Sequence, residues 1–172
     1  MPGLAACELN LRPAGAGDRA FFRALYHEVR AAEFAALPPE QRAMVLDMQF
    51  EIQGRAYEMQ SPGAVSLVVE EAGVVEEGRA PLGRLILHRS GPVFQVVDIA
   101  VSAVARGRGL GAAVLGRVLD MARAAGSAGV VVLSVRPGNP AQRLYARLGF
   151  TECEGGTAGI SIAMIWRQDV SA

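Results

Sequence analysis

The chain has 172 residues, which is enough for one domain with a substantial hydrophobic core. Half of the residues are hydrophobic and a fifth are charged, with 17 acidic and 17 basic residues, so the composition is that of a globular protein without net charge. This balance argues against a nucleic-acid-binding or membrane-surface protein held by bulk charge, and no apolar run is long enough to cross a bilayer. All 17 basic residues are arginine, which together with the many Ala, Gly and Val residues indicates GC-rich, bacterial coding.

The first half of the chain predicts a strand, two helices and three strands. Glu8 to Arg12 alternates as a short strand, and Asp18 is a suitable N-cap for a helix to about Glu33. A second helix is predicted from Gln41 to Met59, between two proline-containing breaks. Its apolar residues near helical spacing are Met44, Val45, Met48, Ile52, Ala56 and Met59. Strands follow at Ala64 to Glu70, Leu82 to His88 and Val93 to Val101.

The second half predicts two helices and three strands. Glycines lead into a helix that ends near Gly126, then come a buried strand at Val130 to Val135 and a helix from Asn139 to Leu148. One face of the first of these helices carries Leu110, Val114, Leu115, Val118, Leu119 and Ala122. The last strands are Phe150 to Glu154 and Ile160 to Trp166. The crossover from Val93 to Val135 requires parallel pairing, whereas the early hairpins are antiparallel, so we expect a mixed α/β (α+β) sheet with helices on its faces.

The two cysteines, Cys7 and Cys153, have neither metal-site spacing nor clustered histidines beside them. In a domain of this size such thiols indicate free cysteines in a reducing compartment. The segment from Met1 to Asn10 lacks a basic stretch followed by an apolar core, so no signal peptide is apparent. These features predict a cytoplasmic protein without a bound metal.

The most informative segment centres on Arg106-Gly107-Arg108-Gly109-Leu110-Gly111, between a buried strand and an amphipathic helix. Glycines let the backbone approach a bound group closely, free amides at a helix start favour an anion, and two arginines suit a diphosphate. The alternatives are an ordinary glycine turn and a dinucleotide site. The second is disfavoured because the third glycine of Gly-x-Gly-x-x-Gly would fall at Ala112, and a P-loop is excluded because Gly-Lys-Ser/Thr is missing.

One strand later comes Asn139-Pro140-Ala141-Gln142-Arg143-Leu144-Tyr145-Ala146-Arg147-Leu148-Gly149-Phe150, and with it the chain resembles the GNAT superfamily of N-acetyltransferases. Arg106, Gly109 and Gly111 look like the Arg-x-x-Gly-x-Gly pyrophosphate loop of that family. The segment from Asn139 to Phe150 looks like its second coenzyme-contacting element, and Leu11-Arg12-Pro13 with Asp18 looks like its opening strand and helix cap. The resemblance covers nearly the whole chain and implies one domain, residues 1–172, with a mostly antiparallel sheet of about seven strands and about four helices.

The resemblance implies an enzyme that uses acetyl-coenzyme A as co-substrate. The pantetheine arm of the coenzyme is expected along the end of the fourth strand, whose backbone amides can polarise the thioester carbonyl. Tyr145 is implied as the general acid near the departing sulfur, with a packed helix tyrosine as the alternative, and Asn139 also suits a helix N-cap. The coenzyme-binding residues so implied are Ile99, Ala100, Val101, Arg106, Gly107, Arg108, Gly109, Leu110, Gly111, Ala112, Asn139 and Tyr145.

The general base is less clearly marked. Asp98 is the only acid in the fourth strand, and its apolar neighbours Val97 and Ile99 favour a carboxylate basic enough for the task. A structural hydrogen-bonding role for Asp98 is an equal alternative. Gln95 stands where some relatives carry a catalytic glutamate; it can hold a water molecule but cannot act as a base.

Acceptor specificity in the superfamily usually comes from the first two helices and the last loops. The candidate residues in those helices are Tyr26, Glu33, Asp47, Gln49, Gln53 and Tyr57. Glu33 or Asp47 can neutralise a cationic acceptor, although each is also consistent with a solvated helix charge. The primary prediction is transfer to the primary amine of a small molecule. The alternatives are acetylation of a protein or peptide N-terminus and an inactive, coenzyme-binding sensor domain. No nucleic-acid or membrane partner is expected, and dimers in the family suggest a homodimer through Ile160 to Trp166.

Overall fold

The computed structural model describes residues 9–71, 81–126, 129–158 and 161–168. Within these residues the strands are β1 (Leu9–Pro13), β2 (Val65–Glu71), β3 (Gly83–Ser90), β4 (Val93–Val101), β5 (Val130–Val135), β6 (Thr151–Ala158) and β7 (Ser161–Arg167). The α-helices are α1 (Arg19–Arg30), α2 (Pro39–Gln60), α3 (Leu110–Ala124) and α4 (Ala141–Arg147). The order of elements and the predicted fold class are therefore confirmed.

The described strands form one seven-stranded sheet in the order β1-β2-β3-β4-β5-β7-β6. Only β4 and β5 pair in parallel, and the other neighbours are antiparallel. Helix α3 makes the crossover between the two parallel strands, as the sequence predicted. The mixed, mostly antiparallel sheet places the carboxyl ends of β4 and β5 side by side at its centre.

Some boundaries differ from the predictions. Helix α1 ends at Arg30 and continues as a 3₁₀ turn from Ala31 to Phe34, a common way for a helix to tighten at its end. Helix α4 begins two residues late, because Oδ1 of Asn139 accepts a hydrogen bond from the amide of Ala141 at 2.9 Å before the helix starts. Glu8 and Ile160, predicted as strand residues, lie outside the described residues.

Asp18 lies at the predicted start of α1, but its side chain does not cap that helix. It accepts a hydrogen bond from the Gly15 amide at 2.7 Å and two from Arg12, at 2.8 and 2.7 Å. Arg12 also donates to Glu70 on β2 at 2.7 Å. The hydrogen bond from Arg12, and then that from Gly15, lowers the pKa of Asp18 to about 2. Asp18 thus ties β1 to the turn before α1, because the arginine fork takes both of its oxygens.

The sheet is covered by an apolar layer on each face. On one face, α3 and α4 pack against alternate residues of the central strands, and the six apolar residues predicted for one face of α3 are all buried. On the other face, α1 and α2 cover a smaller core of Phe22, Tyr26, Leu46, Phe50 and Val68. The site described below lies between these layers.

Helix α2 turns a different face inward from the one that its sequence emphasises. Leu46 and Phe50 are its buried residues. Four of the six apolar residues noted at helical spacing are exposed: Met44, Met48, Ile52 and Met59. The helix itself is confirmed, whereas the spacing does not identify its buried side.

None of the helices in the described ranges has the length and apolar character needed to cross a membrane. Cys153 is a free, half-buried thiol, and Cys7 lies outside the described residues.

Candidate active site

A cleft opens where the parallel strands β4 and β5 separate. They pair only from Val93 to Val96, opposite Val130 to Leu133. Between β3 and β4 the register shifts, because Leu87 pairs with Val96 while its neighbour Ile86 pairs with Asp98. Val97 is therefore an extra residue, a β-bulge, which bends the strand and disrupts the ladder. Beyond it the two strands leave a cleft of about 390 Å³.

The cleft brings together predicted site residues from several elements. Asp98, Ile99 and Ala100 line its β4 side, and Asn139 and Tyr145 line it from the segment after β5. The rest of its wall comes from α1 and the 3₁₀ turn after it, from α2, from Arg84 on β3, and from the end of β5 with Arg136. All three tyrosines of the chain, Tyr26, Tyr57 and Tyr145, are among the lining residues.

Tyr145 is held in place by packing. It lies on α4, is 7 % exposed, and its ring centre is 6.0 Å from that of Phe150. Burial, and then the negative charge of Asp98, raises the pKa of Tyr145 above the usual value of 10.0. The phenol therefore stays protonated at neutral pH, which is the form that a general acid needs.

The other two tyrosines extend the cleft towards α2. Burial, followed by the charge of Asp98, raises the pKa of Tyr57, and burial also raises that of Tyr26. The hydroxyl of Tyr26 donates to Gln49 at 3.4 Å. Two of the residues predicted to contact the amine acceptor therefore differ in position. Gln49 does not line the cleft but holds Tyr26, which does, whereas Gln53 lines the cleft itself.

Asp98 is paired with an arginine that the sequence analysis missed. Arg84 on β3 donates a hydrogen bond through Nη2 to Oδ2 of Asp98. The Arg84 side chain is 9 % exposed, and its guanidinium lies 5.4 Å from the centre of the Phe22 ring. The pair fixes the orientation of Asp98 while leaving it on the cleft wall. The available signal was a charged residue directly before the apolar run Leu85-Ile86-Leu87 of a predicted strand.

Arg84 also lines a second cavity, which has a volume of about 530 Å³. The second cavity lies between α2 and the β2–β3 hairpin, and it shares Phe22, Tyr57 and Arg84 with the first. The Nε of Arg84 is buried and has no hydrogen-bond partner among the described residues. Such an unpaired donor is costly, so we expect a water molecule or a ligand beside it.

The two acidic acceptor candidates differ in position. Glu33 lines the cleft and accepts hydrogen bonds from Arg30. Asp47 lies on the side of α2 that faces α1, where it contacts Arg23 and, at 2.7 Å, Nε2 of His27. The hydrogen bond from Arg23 is the main cause that lowers the pKa of Asp47 to about 2. Asp47 is not among the residues that line the cleft, and neither is Gln95, which is exposed.

The glycine loop joins the end of β4 to α3. Gly107 and Gly109 have φ angles of +73° and +79°, in the left-handed region that favours glycine. A side chain built on either residue would meet no atom within 4 Å, so the space beside the loop is open. The first amides of α3, from Leu110 to Ala112, have no partner within the helix and point out of its N-terminus. Open space, free amides and a helix dipole fit a phosphate group.

The loop arginines are held by carboxylates of neighbouring elements. Arg106 donates to the Val101 carbonyl and to Glu28 of α1, each at 3.2 Å. Arg108 donates to Glu71 of β2, also at 3.2 Å. These side chains are about half exposed, so the ion pairs are weak and an incoming diphosphate can compete for the guanidinium groups.

A profile of the acetyltransferase (GNAT) family matches residues 22–150, which include most of α1, the cleft, the glycine loop and α4. The chain belongs to this family.

Individual relatives of this GNAT protein agree with that assignment. A probable glucosamine 6-phosphate N-acetyltransferase 2 from Oryza sativa subsp. japonica is 37 % identical over 93 residues, which are 51 % of this chain and 54 % of that protein. The chain thus spans about half the length of the curated relatives it matches.

Solved structures are similar over nearly the whole chain. YncA from Salmonella typhimurium, determined with its cofactor acetyl-CoA, is 25 % identical with a TM-score of 0.54, covering 95 % of this chain and 96 % of that one. Spermidine N-acetyltransferase from Vibrio cholerae, in complex with CoA and spermine, is 20 % identical with a TM-score of 0.62, covering 93 % and 95 %. The similarity to the Vibrio cholerae structure shows that the two proteins share a fold.

Proposed function

We propose that the protein is an acetyl-coenzyme A-dependent N-acetyltransferase that moves an acetyl group directly from the thioester to the primary amine of a small molecule. The observation that carries the proposal is one cleft that collects Asp98, Tyr145 and the splayed end of β4 directly before the glycine loop. The GNAT assignment and the name of the rice relative, an N-acetyltransferase of an amino-sugar phosphate, support a small-molecule acceptor. Both motifs lie around the same sheet, so we treat the chain as a single catalytic domain.

The coenzyme would be held by the residues predicted from the sequence. The backbone from Gly107 to Ala112 and the side chains of Arg106 and Arg108 suit its diphosphate. The backbone of Ile99 to Val101 lies beyond the last β4–β5 pair, so its polar groups on that edge are available to the pantetheine arm, except the Val101 carbonyl, which accepts from Arg106. Asn139 and Tyr145 line the same cleft.

The residues of the cleft suit a direct transfer. Acetyl-coenzyme A supplies a thioester whose carbonyl carbon accepts attack by a neutral amine. Asp98 takes the proton that the amine nitrogen loses as the new C–N bond forms, either directly or through water. Tyr145 gives its hydroxyl proton to the sulfur as the C–S bond breaks, and backbone amides at the end of β4 stabilise negative charge on the carbonyl oxygen. The pair with Arg84 keeps Asp98 on the cleft wall during this exchange.

The first test is calorimetric titration of the full chain with acetyl-coenzyme A, with NADH and ATP as controls. We expect binding of acetyl-coenzyme A alone, followed by release of free thiol when a suitable primary amine is added. Failure to bind acetyl-coenzyme A would remove the central support for the proposal. Binding without thiol release across a broad panel of amines would instead favour the sensor-domain alternative.

A further inference from the structure

The cleft has more arginine than acid on its walls. Its charged lining residues, within the described ranges, are Arg30, Glu33, Arg84, Asp98 and Arg136. Arginine stays protonated at neutral pH, so three fixed positive charges stand against two carboxyl groups. A site that selects a polycation is expected to have more carboxylates than arginines on its walls.

Both carboxylates already have a guanidinium partner. Asp98 accepts a hydrogen bond from Arg84, and each oxygen of Glu33 lies 3.0 Å from Nη1 of Arg30. Neither acid is left to neutralise a second cationic group on an acceptor. The charge pattern therefore argues against a role for Glu33 in binding a polyamine.

Arg136 is the cleft arginine with the weakest carboxylate partner, a long ion pair to Glu33 without a hydrogen bond. It follows β5 directly, its side chain is 63 % exposed, and its Nη1 lies 3.7 Å from Oε1 of Glu33. This separation is too long for a hydrogen bond, and no other described residue accepts one from its side chain. A guanidinium offers five donors in a planar fork that matches a carboxylate or a phosphate.

Arg136 and Asp98 lie on different walls of the cleft, on the two sides of the gap between β4 and β5. The last parallel pair joins Val96 to Leu133; Asp98 follows directly after the bulge at Val97, whereas Arg136 lies three residues beyond Leu133, just past the end of β5. Because the bulged residue adds little length along the strand, Arg136 lies further along the cleft than Asp98. An acceptor that lies across the cleft can thus present its amine to Asp98 and another group to Arg136.

We propose that the acceptor is an amine that also carries an anionic group, a phosphate or a carboxylate, and that Arg136, flanked by Arg30, binds this group. The proposal rests on the proposed function and names the substrate class of the same site. Arg136 is then a specificity-determining residue: it adds binding energy to anionic acceptors and takes no part in proton transfer.

The test compares amines that differ only in the anionic group. Glucosamine 6-phosphate is paired with glucosamine, methionine is paired with methioninamide, and spermidine serves as the polycation. We expect the wild-type protein to prefer one anionic member at least about tenfold in kcat/KM, and the pair that responds identifies the anion as phosphate or carboxylate. Arg136→Gln should raise the KM for that acceptor about tenfold or more, with little change in kcat, and Arg136→Lys should keep part of the preference. Arg117→Gln, on an exposed part of α3, is the matched control.

Several outcomes would overturn the proposal. They are equal use of both members in each pair, best use of spermidine, and a rise in the KM for acetyl-coenzyme A rather than for the acceptor in Arg136→Gln. Binding of acetyl-coenzyme A without acetylation of any anionic amine would also overturn it. Failure to bind acetyl-coenzyme A at all would be a failure of the proposed function, so the two can be told apart.

Discussion

Replacing Tyr145 by phenylalanine separates catalysis from packing. The change removes a hydroxyl that has no hydrogen-bond partner among the described residues and keeps the ring against Phe150. The free energy of unfolding should therefore change by less than about 1 kcal/mol, the usual range when no hydrogen bond or core contact is lost. Loss of a general acid should lower kcat about 100-fold or more, which corresponds to about 2.7 kcal/mol in the activation barrier.

The assay follows thiol release at saturating acetyl-coenzyme A, with calorimetric affinity and thermal unfolding measured on the same samples. Coenzyme affinity and stability should stay close to wild type. Because burial and Asp98 raise the pKa of Tyr145 above 10.0, the alkaline fall in the wild-type rate should begin only above that value. The phenylalanine variant should lack this fall. Unchanged kcat would refute the role of Tyr145 as the acid, and equal losses in turnover, affinity and stability would indicate a packing role.

Three further changes test other parts of the site and fold. Gly109→Val, at a φ of +79°, should cost about 1–2 kcal/mol of stability and abolish acetyl-coenzyme A binding in a protein that still folds; normal affinity in calorimetry would contradict the loop assignment. Asp98→Asn keeps an oxygen acceptor for Arg84 and should lower kcat about 100-fold in the thiol-release assay, whereas full activity would leave Asp98 only its structural role. Asp18, with a pKa of about 2, stabilises the fold above the unfolded value of about 3.9, and this stability is lost as the pH falls towards 2. Urea unfolding should show Asp18→Asn less stable than wild type at pH 6 and similar near pH 2, and a constant difference would refute the linkage.

Elements bounded by clear chain breakers could be predicted from the sequence. Strands β4 and β5 have the bounds expected for them; Gly91 and Pro92 directly precede the first, and Gly129 precedes the second. Helix α3 buries the apolar stripe that its spacing predicts, since that helix packs on the sheet through one side only. These features depend on local periodicity, which a single sequence displays directly.

The buried side of α2 could not be found in that way. Its methionines and Ile52 follow helical spacing as well as Leu46 and Phe50 do, yet only the latter two are buried. A helix with apolar residues on two sides has more than one possible buried face, and the elements that it packs against decide between them. The buried face of α2 is therefore set by tertiary packing and not by its own sequence pattern.

The roles of the arginines in the cleft could not be predicted from the sequence, because of its composition. Every basic residue of the chain is arginine, so no arginine stands out by type. The role of Arg84 depends on its contact with Asp98, 14 residues away in the sequence. The two side chains meet because Arg84 pairs with Ala100 and is therefore diagonal to Asp98. Arg30 and Arg136 likewise meet at Glu33 only after the sheet and α1 are assembled.

The bulge at Val97 decides which face of the sheet receives the candidate base. Without it, strict alternation would put Asp98 on the same face as Phe94 and Val96, buried beneath α3. The extra residue reverses the alternation, so that Ile99 joins Phe94 and Val96 in that core, while Asp98 turns to the α1 side beside Arg84. The same bulge ends the pairing with β5 and opens the cleft. One inserted residue therefore both creates the cavity and turns a carboxylate into it, which is why the site depends on register and not on local sequence pattern.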